Sequence, residues 1–309
     1  MPPDGLHAAT AAGDDGGLTM RSLLFVPGDD VKKLAKALAS GADALIVDLE
    51  DSVAEARKPA ARATAAAFLA EARRSASRPK LYVRVNAFAS GLTAADLDAT
   101  IPAAPDGVVL PKCLGGADVQ RLGAGLAARE AEHGLADGST GIIAIATESA
   151  QALFGFASYR GASRRLEGVA WGGEDLSADL GAETNRRPDG AYADPYALAR
   201  TLTLIGAVAA EARPIDAVMT NFRDLDGLDA EARAARRDGF VAKLAIHPAQ
   251  VPVINEAFAV SPEAIARAQA IVAAFAAAGD AGVVSLGGVM LDLPHLTQAK
   301  RTLTQAGLA

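Results

Sequence analysis

The sequence predicts an α/β chain folded as a TIM-type (β/α)8 barrel with a C-terminal helical arm. Three observations carry this expectation. Five short apolar runs each lead into charge: Leu45 to Val47 into Asp48, Leu81 to Val83 into Arg84, Val108 to Pro111 into Lys112, Ile142 to Ala146 into Glu148, and Val169 to Trp171 into Glu174 and Asp175. In a parallel barrel the carboxyl ends of the strands converge on one site, so charge is expected there. Strand and helix signals alternate through eight units, which implies βαβ connections and favours closure. The turn after the first strand, Pro27-Gly28-Asp29-Asp30, lacks the G-x-G-x-x-G phosphate loop usual in an open doubly wound sheet.

Residues 1–20 are rich in Gly, Ala and Asp, without a basic start or an apolar segment, and are expected to be a disordered tail rather than a secretory signal. Ser22 to Val26 is the first strand, stopped by Pro27-Gly28. Asp29 and Asp30 then cap a helix with Val31, Leu34 and Leu38 on one face. Ala44 to Val47 precedes a helix from Pro59 to Ala76, Leu81 to Val85 a shorter one near Ala94 to Ala99, and Val108 to Leu110 one from Ala117 to Glu132. Ile142 to Ile145 leads to a helix from Ser149 to Arg160, and Val169 to Trp171 to one from Pro195 to Ala212. Ile215 to Met219 with a helix near Asp229 to Asp238, and Val241 to Ala245 with a helix after Pro248, complete a barrel over residues 21–255. An arm is expected over 256–309: a helix from Pro262 to Ala278 between Ser261 as N-cap and Gly279 as stop, an apolar run Val283 to Leu286, Gly287-Gly288, and a helix from Pro294.

With 309 residues and 50% hydrophobic content the chain can bury a large core, and a barrel of about 250 residues uses most of it. A net charge of −7 and a pI near 5.2 argue against a nucleic-acid partner, which requires a clustered basic face. Cys113 is the one cysteine, so an intramolecular disulfide and a cysteine zinc cage are excluded, in keeping with a cytoplasmic setting. No membrane span is expected, since the longest apolar runs are alanine-rich and interrupted by charge.

Glu148 and Asp175 follow successive strands. They read either as side-by-side oxygen ligands for Mg2+, which uses one or two carboxylates and leaves other positions to water and substrate, or as the first-turn acid of the Ser149 helix, for Glu148, and a cap for the loop before Ala178, for Asp175. Arg84, in Tyr82-Val83-Arg84-Val85-Asn86, is expected to point with Tyr82 and Asn86 and to require an anion. That anion is either Asp48 or Glu50 of the preceding strand or a substrate carboxylate held bidentately. Lys112 reads as a structural ion pair before a Schiff-base nucleophile, because nearby carboxylates stabilise its charged form. His247, just past the last strand, is either a ligand-contacting group or a satisfied polar residue, and Asp292 is either a cap for the last helix or a functional group on the arm.

Arg21-Ser22-Leu23-Leu24-Phe25-Val26-Pro27-Gly28, Val47-Asp48-Leu49-Glu50-Asp51, Arg84-Val85-Asn86, Leu110-Pro111-Lys112, Thr147-Glu148-Ser149 and Gly173-Glu174-Asp175 resemble the citrate lyase beta subunit and malyl-CoA/citramalyl-CoA lyase family of the HpcH/HpaI aldolase superfamily. Lys243 to Val251 and Gly288 to Pro294 extend the resemblance over nearly the whole chain. It implies a lyase that cleaves or condenses a short 3-hydroxyacyl-CoA thioester such as malyl-CoA or citramalyl-CoA, giving acyl-CoA and an oxo acid. Glu148 and Asp175 then match magnesium ligands, and Arg84 matches the arginine on the substrate carboxylate. Phe25, Lys36, Ile246 and His247 match CoA thioester contacts, with Glu174 beside the substrate. Asp292 matches an acid/base on an arm that reaches a neighbouring subunit, which implies a homotrimer or a dimer of trimers. Same-family and neighbouring alternatives are the citryl-specific beta subunit of a citrate lyase, whose substrate rides on an acyl carrier protein, and a class II pyruvate aldolase. A non-enzymatic binding module is disfavoured by the joint presence of Arg84, Glu148 and Asp175.

Overall fold

The computed structural model describes residues 20–279 and 281–308, so the expected tail falls, apart from Met20, outside the described residues. These residues form two compact units, Met20–Phe258 and Ala259–Ala309.

In the first unit eight parallel strands close in sequence order: β1 (Ser22–Pro27), β2 (Ala44–Asp48), β3 (Lys80–Arg84), β4 (Gly107–Leu110), β5 (Gly141–Ile145), β6 (Leu166–Ala170), β7 (Arg213–Asp216) and β8 (Ala242–Ala245). Pairing of Ser22 with Lys243 and of Leu23 with Leu244 closes the ring. Successive side chains point to opposite faces. Leu23, Ile46, Tyr82, Val109, Ile143 and Ile215 fill the interior. Leu24, Leu45, Val47, Val83, Val108 and Val169 meet the surrounding helices. These are α1 (Val31–Leu38), α2 (Lys58–Ala72), α3 (Thr93–Thr100), α4 (Gly116–Glu132), α5 (Ala150–Leu153), α6 (Glu174–Leu180), α7 (Asp194–Ala209), α8 (Leu225–Asp238) and α9 (Gln250–Ala257). Asp30 caps α1 as expected, accepting the N–H groups of Lys32 and Lys33 at 3.1 and 3.0 Å.

Three expectations are corrected. The helix predicted from Ser149 to Arg160 stops at Leu153, and a 3-10 turn follows at Phe156–Tyr159. Gly155 sits between them where a Cβ would overlap the carbonyl oxygen of Leu114, so close backbone approach breaks the helix. Asn86 does not share the Arg84 face: its amide donates to Asp96 at 2.7 Å and to the Leu49 carbonyl at 2.9 Å, because β3 has already ended at Arg84. The stretch Gln250–Ala277 is, against expectation, long and apolar enough in composition for a membrane span. The chain divides it into α9 and α10 (Pro262–Ala277), each shorter than the roughly 20 residues a span requires.

Near the amino-terminal end of the barrel one side chain crosses the interior. Tyr82 reaches from β3 to β6, where its hydroxyl donates to Glu167 at 2.6 Å. The intervening strands open with Gly107 and Gly141, where a Cβ would overlap the Tyr82 ring and the Glu167 carboxylate.

A second buried pair ties α4 to β6. Glu130 accepts Arg165 Nη1 at 2.8 Å and Nη2 at 2.6 Å, and the N–H groups of Gly138 at 3.0 Å and Thr140 at 2.8 Å. Burial works to raise this carboxyl, but Arg165 and the backbone donors outweigh it and hold it at about 2. A depressed carboxyl contributes stability above its unfolded value of 4.5, and that contribution is lost as pH falls towards about 2. Glu130→Gln is therefore expected to melt well below the parent at pH 7, with the gap narrowing as urea or thermal melts are moved below pH 4.5. A gap independent of pH would remove this role from Glu130.

The second unit packs α10 and α11 (Leu293–Gln305) around Ile271, Phe275, Leu291 and Leu303. Ser261 caps α10, accepting Ala264 N–H at 3.2 Å. The arm is not wholly helical. β9 (Val283–Leu286) and β10 (Val289–Asp292) form an antiparallel hairpin whose two-residue turn, Gly287 and Gly288, has φ of 58° and 80°. Both values suit the tight turn that matches strand twist and favour glycine.

Candidate active site

The carboxyl ends of the strands surround a cleft lined by groups that include Phe25, Arg84, Glu148, Trp171, Glu174 and Asp175. β2 and β3 pair Asp48 with Arg84. Their side chains meet as a fork, Arg84 Nε to Asp48 Oδ1 and Nη2 to Oδ2, both at 2.7 Å. Nη1 lies 3.1 Å from Glu50 Oε2, and the guanidinium stands 4.7 Å from the centre of the Phe25 ring. Asp48 is almost fully buried. Burial works to raise its carboxyl, but Arg84 and the donors on Ser52 and Glu50 hold it below the usual range.

Lys112 follows β4 in a left-handed conformation, φ 51°. This turn aims its backbone N–H at Glu148 Oε2, while its ammonium donates to Glu50 Oε1 at 2.5 Å and stands 3.6 Å from Asp175. Burial acts to lower the Lys112 value, but Glu50, Glu148 and Asp175 raise it well above the ordinary range. The lysine is therefore a fixed cation, as its surroundings suggested, and not a Schiff-base nucleophile. Glu50 remains pushed up by burial in spite of Arg84 and Lys112, and among the described residues its Oε2 has the ion pair with Arg84 but no donor in hydrogen-bond geometry.

Glu148 and Asp175 are brought together by a residue that sequence reasoning passed over. Thr147 Oγ1 donates to the Gly172 carbonyl and accepts the Gly172 N–H, both at 2.9 Å, tying the chain after β5 to the chain after β6. A hydroxyl immediately before the glutamate was the available signal. Glu148 is 7% exposed. Burial, reinforced by Glu50 and Asp175, lifts its carboxyl to about 8 against the Lys112 backbone donor. Asp175 stands in the first turn of α6, a helix absent from the sequence expectation, with Glu174 beside it held by Asn185 Nδ2 at 2.9 Å.

Among the described residues no group of three or more His, Cys, Asp or Glu side chains forms a preformed metal cage. The cleft instead offers two hard oxygen donors from adjacent strands, in a corner where Glu148 is destabilised by like charge. That donor set fits Mg2+, which keeps several positions for water and substrate, better than Zn2+.

Not every predicted residue reaches the cleft. Lys36 lies in the last turn of α1, exposed to solvent. Ile246, 39% exposed, and His247 sit on the turn after β8, where His247 stacks on Phe222 at 4.8 Å. Gln250 holds this turn by accepting the N–H groups of Ile246 at 2.9 Å and His247 at 3.2 Å. Asp292 belongs to the second unit, where it caps α11 in a capping box with His295, whose Nδ1 lies 2.5 Å from Asp292 Oδ1.

A family profile described as HpcH/HpaI aldolase/citrate lyase matches residues 21–248, and one described as a C–C bond lyase of the TIM-barrel fold matches 197–308. The chain is 37% identical over 286 residues to the citrate lyase subunit beta-like protein of Mycobacterium tuberculosis, covering 93% of this chain and 95% of that protein. It is 32% identical over 302 residues to the mitochondrial citramalyl-CoA lyase of Rattus norvegicus, covering 93% and 86%. The crystal structure of CitE from Mycobacterium tuberculosis in complex with magnesium, acetoacetate and coenzyme A superposes with a TM-score of 0.73 at 35% identity, covering 94% and 98%. The profile match runs through every barrel strand and the relatives extend along nearly the full chain, so this protein belongs to the HpcH/HpaI aldolase/citrate lyase family.

Proposed function

We propose that this chain is a Mg2+-dependent carbon–carbon lyase that cleaves, or in reverse condenses, a short 3-hydroxyacyl-CoA thioester into an acyl-CoA and an oxo acid. The observation that carries the proposal is the meeting of Glu148, Asp175 and Arg84 in one cleft. The relative solved with magnesium, acetoacetate and coenzyme A supports it.

In this reading Glu148 and Asp175 hold the ion, which when bound supplies a Lewis acid that polarises the hydroxyl or oxo oxygen of the substrate. Arg84 presents the guanidinium edge left over from Asp48 to the carboxylate of the oxo acid. Asp48 fixes that edge in advance, so little orientation is lost on binding. Lys112 holds Glu50 and offsets the charge of Asp175. Phe25 supplies an apolar face under Arg84, and Glu174 borders the same cleft. Lys36, Ile246 and His247 contact the CoA tail outside it.

Asp292 is the acid/base, delivered by the arm of a neighbouring subunit in a homotrimer or a dimer of trimers. Its bond to His295 holds its carboxyl below the usual range, leaving the ionised form that abstracts an α proton in condensation. Asp292→Asn is expected to abolish α-proton exchange of the acyl-CoA in D2O while Mg2+ binding survives. Retained exchange would sink this assignment.

The citryl-specific reading stays open on one observation, 32% identity over 288 residues to the citrate lyase subunit beta of Leuconostoc mesenteroides. One panel decides between the two: malyl-, citramalyl- and citryl-CoA, and citryl carrier protein, assayed with Mg2+ by release of free oxo acid. CoA thioesters are expected to be cleaved, with activity lost to a chelator and restored by Mg2+. Cleavage of the carrier-bound thioester alone would favour the citryl subunit, and cleavage of none would overturn the lyase assignment. A buried free thiol as the single cysteine, Cys113, suits a cytoplasmic setting.

A further inference from the structure

The cleft contains a second guanidinium with no part in the scheme above. Arg186 lines it from the segment between α6 and α7. Its Nη1 donates to the Gly190 carbonyl at 2.9 Å, and its Nη2 to the Tyr192 hydroxyl and to Glu231 Oε2, both at 2.8 Å. The guanidinium lies 4.0 Å over the Tyr192 ring.

This position is held from behind by charge that runs into the core and returns to the cleft. Glu231 on α8 accepts Lys243 Nζ at 2.8 Å. Lys243, with its side chain wholly buried on β8, also donates to Asp216 Oδ2 at 2.7 Å. Asp216 in turn accepts Trp171 Nε1 at 2.8 Å, and the Trp171 ring meets Tyr192 edge-on at 4.8 Å. Buried charges persist only when they are paired, and each of these is. The result is a guanidinium fixed in place whose Nε–H and second Nη1–H have no partner among the described residues. A fixed cation with an unpartnered N–H facing a cleft is a site for one carboxylate oxygen, with little ordering left to lose. Arg84 is differently placed, since its Nε and Nη2 are taken by Asp48.

We propose that Arg186 binds a second carboxylate on the substrate's acyl chain, so that the cleft selects an acidic branch over an alkyl branch. This rests on the lyase assignment and deepens it, by naming the side group that the same site accepts. Without Arg186, the nearby wall of Trp171, Tyr192, Ala217 and Val218 would favour a methyl group.

Two measurements test the proposal. In turnover, Arg186→Gln is expected to lower the ratio of kcat/KM for citryl-CoA over citramalyl-CoA by about 10- to 100-fold, the usual effect of losing a charged hydrogen bond, with Arg186→Lys between the two. In calorimetry with Mg2+ present, the parent is expected to bind tricarballylate about tenfold or more tightly than 2-methylsuccinate, acids that differ only in a carboxymethyl or methyl branch. Arg186→Gln is expected to erase that preference. Equal loss for both substrates would make Arg186 only a positioning residue and overturn the proposal, as would a parent with no preference between the acids. If the parent cleaves no thioester, the lyase assignment fails while calorimetry still decides the role of Arg186. If Arg186→Gln does not fold, Arg186→Lys and the parent preference decide it.

Discussion

Glu148→Gln is expected to abolish Mg2+-dependent turnover and at the same time to raise the melting temperature of chelated protein at alkaline pH. Both outcomes follow from the same burial. The Glu148 carboxyl is lifted from 4.5 to about 8 by desolvation and by the nearby Glu50 and Asp175. A carboxyl raised in the folded state destabilises the fold progressively as pH climbs from 4.5 through about 8, because ionisation is easier in the unfolded chain. Glutamine removes that penalty. In EDTA, the melting temperature of the variant minus that of the parent should grow between these values and level off above them. Mg2+ should then reverse the order, because an ion bound only by the folded parent adds stability by mass action. Turnover should fall about 1000-fold or more, equivalent to roughly 4 kcal/mol of lost charge stabilisation. A variant that keeps Mg2+-dependent turnover at the parent rate would exclude Glu148 as a ligand.

Asp48→Asn is expected to cost about 3–5 kcal/mol in urea unfolding, the range for breaking one side of a buried ion pair. Asparagine has one acceptor oxygen for a guanidinium that presents two donors to this residue, and its amide would face the other donor. The loss should reach chemistry as well. Freed from Asp48, Arg84 can swing towards Glu50, 3.1 Å away, and a displacement of about 1 Å in a substrate anchor can lower turnover about 100-fold. A variant as stable as the parent would show that Arg84 finds an equivalent partner, leaving Asp48 without the positioning role assigned to it.

The barrel was legible because its strands announce themselves. Runs such as Leu45 to Val47 or Ile142 to Ala146 are short, β-branched and apolar, and a charge follows each. The same rule located Asp48, Arg84, Lys112, Glu148 and Asp175, all of which the structure gathers at the carboxyl end. What stayed hidden depends on distance along the chain. Lys243 sits in Ala242-Lys243-Leu244, where alternation gives no sign that its charge is buried, because its partners Asp216 and Glu231 lie 27 and 12 residues away. Arg186 stands in a polar segment, Asn185-Arg186-Arg187-Pro188, that reads as an ordinary loop until Glu231 of α8 is found behind it. The break at Gly155 was invisible for a related reason. Glycine within a helical pattern is tolerated, and only the approach of Leu114 turns it into a stop.

The tyrosine that spans the interior from β3 to Glu167 bears on kinetics as well as packing. With Tyr82 crossing the interior over Gly107 and Gly141 and the buried cluster of Leu23, Ile46, Val109, Ile143 and Ile215 packed around it, the cleft opens at the carboxyl ends of the strands. Two products made at the base of such a well share one exit. In the proposed reading the oxo acid lies at Arg84 and the two carboxylates inside the cleft while the CoA tail lies outside it, so the thioester stands between the smaller fragment and bulk water. Departure is then sequential, thioester first and oxo acid second. Initial-rate studies should accordingly show the oxo acid inhibiting competitively against the hydroxyacyl thioester and the acyl-CoA inhibiting non-competitively.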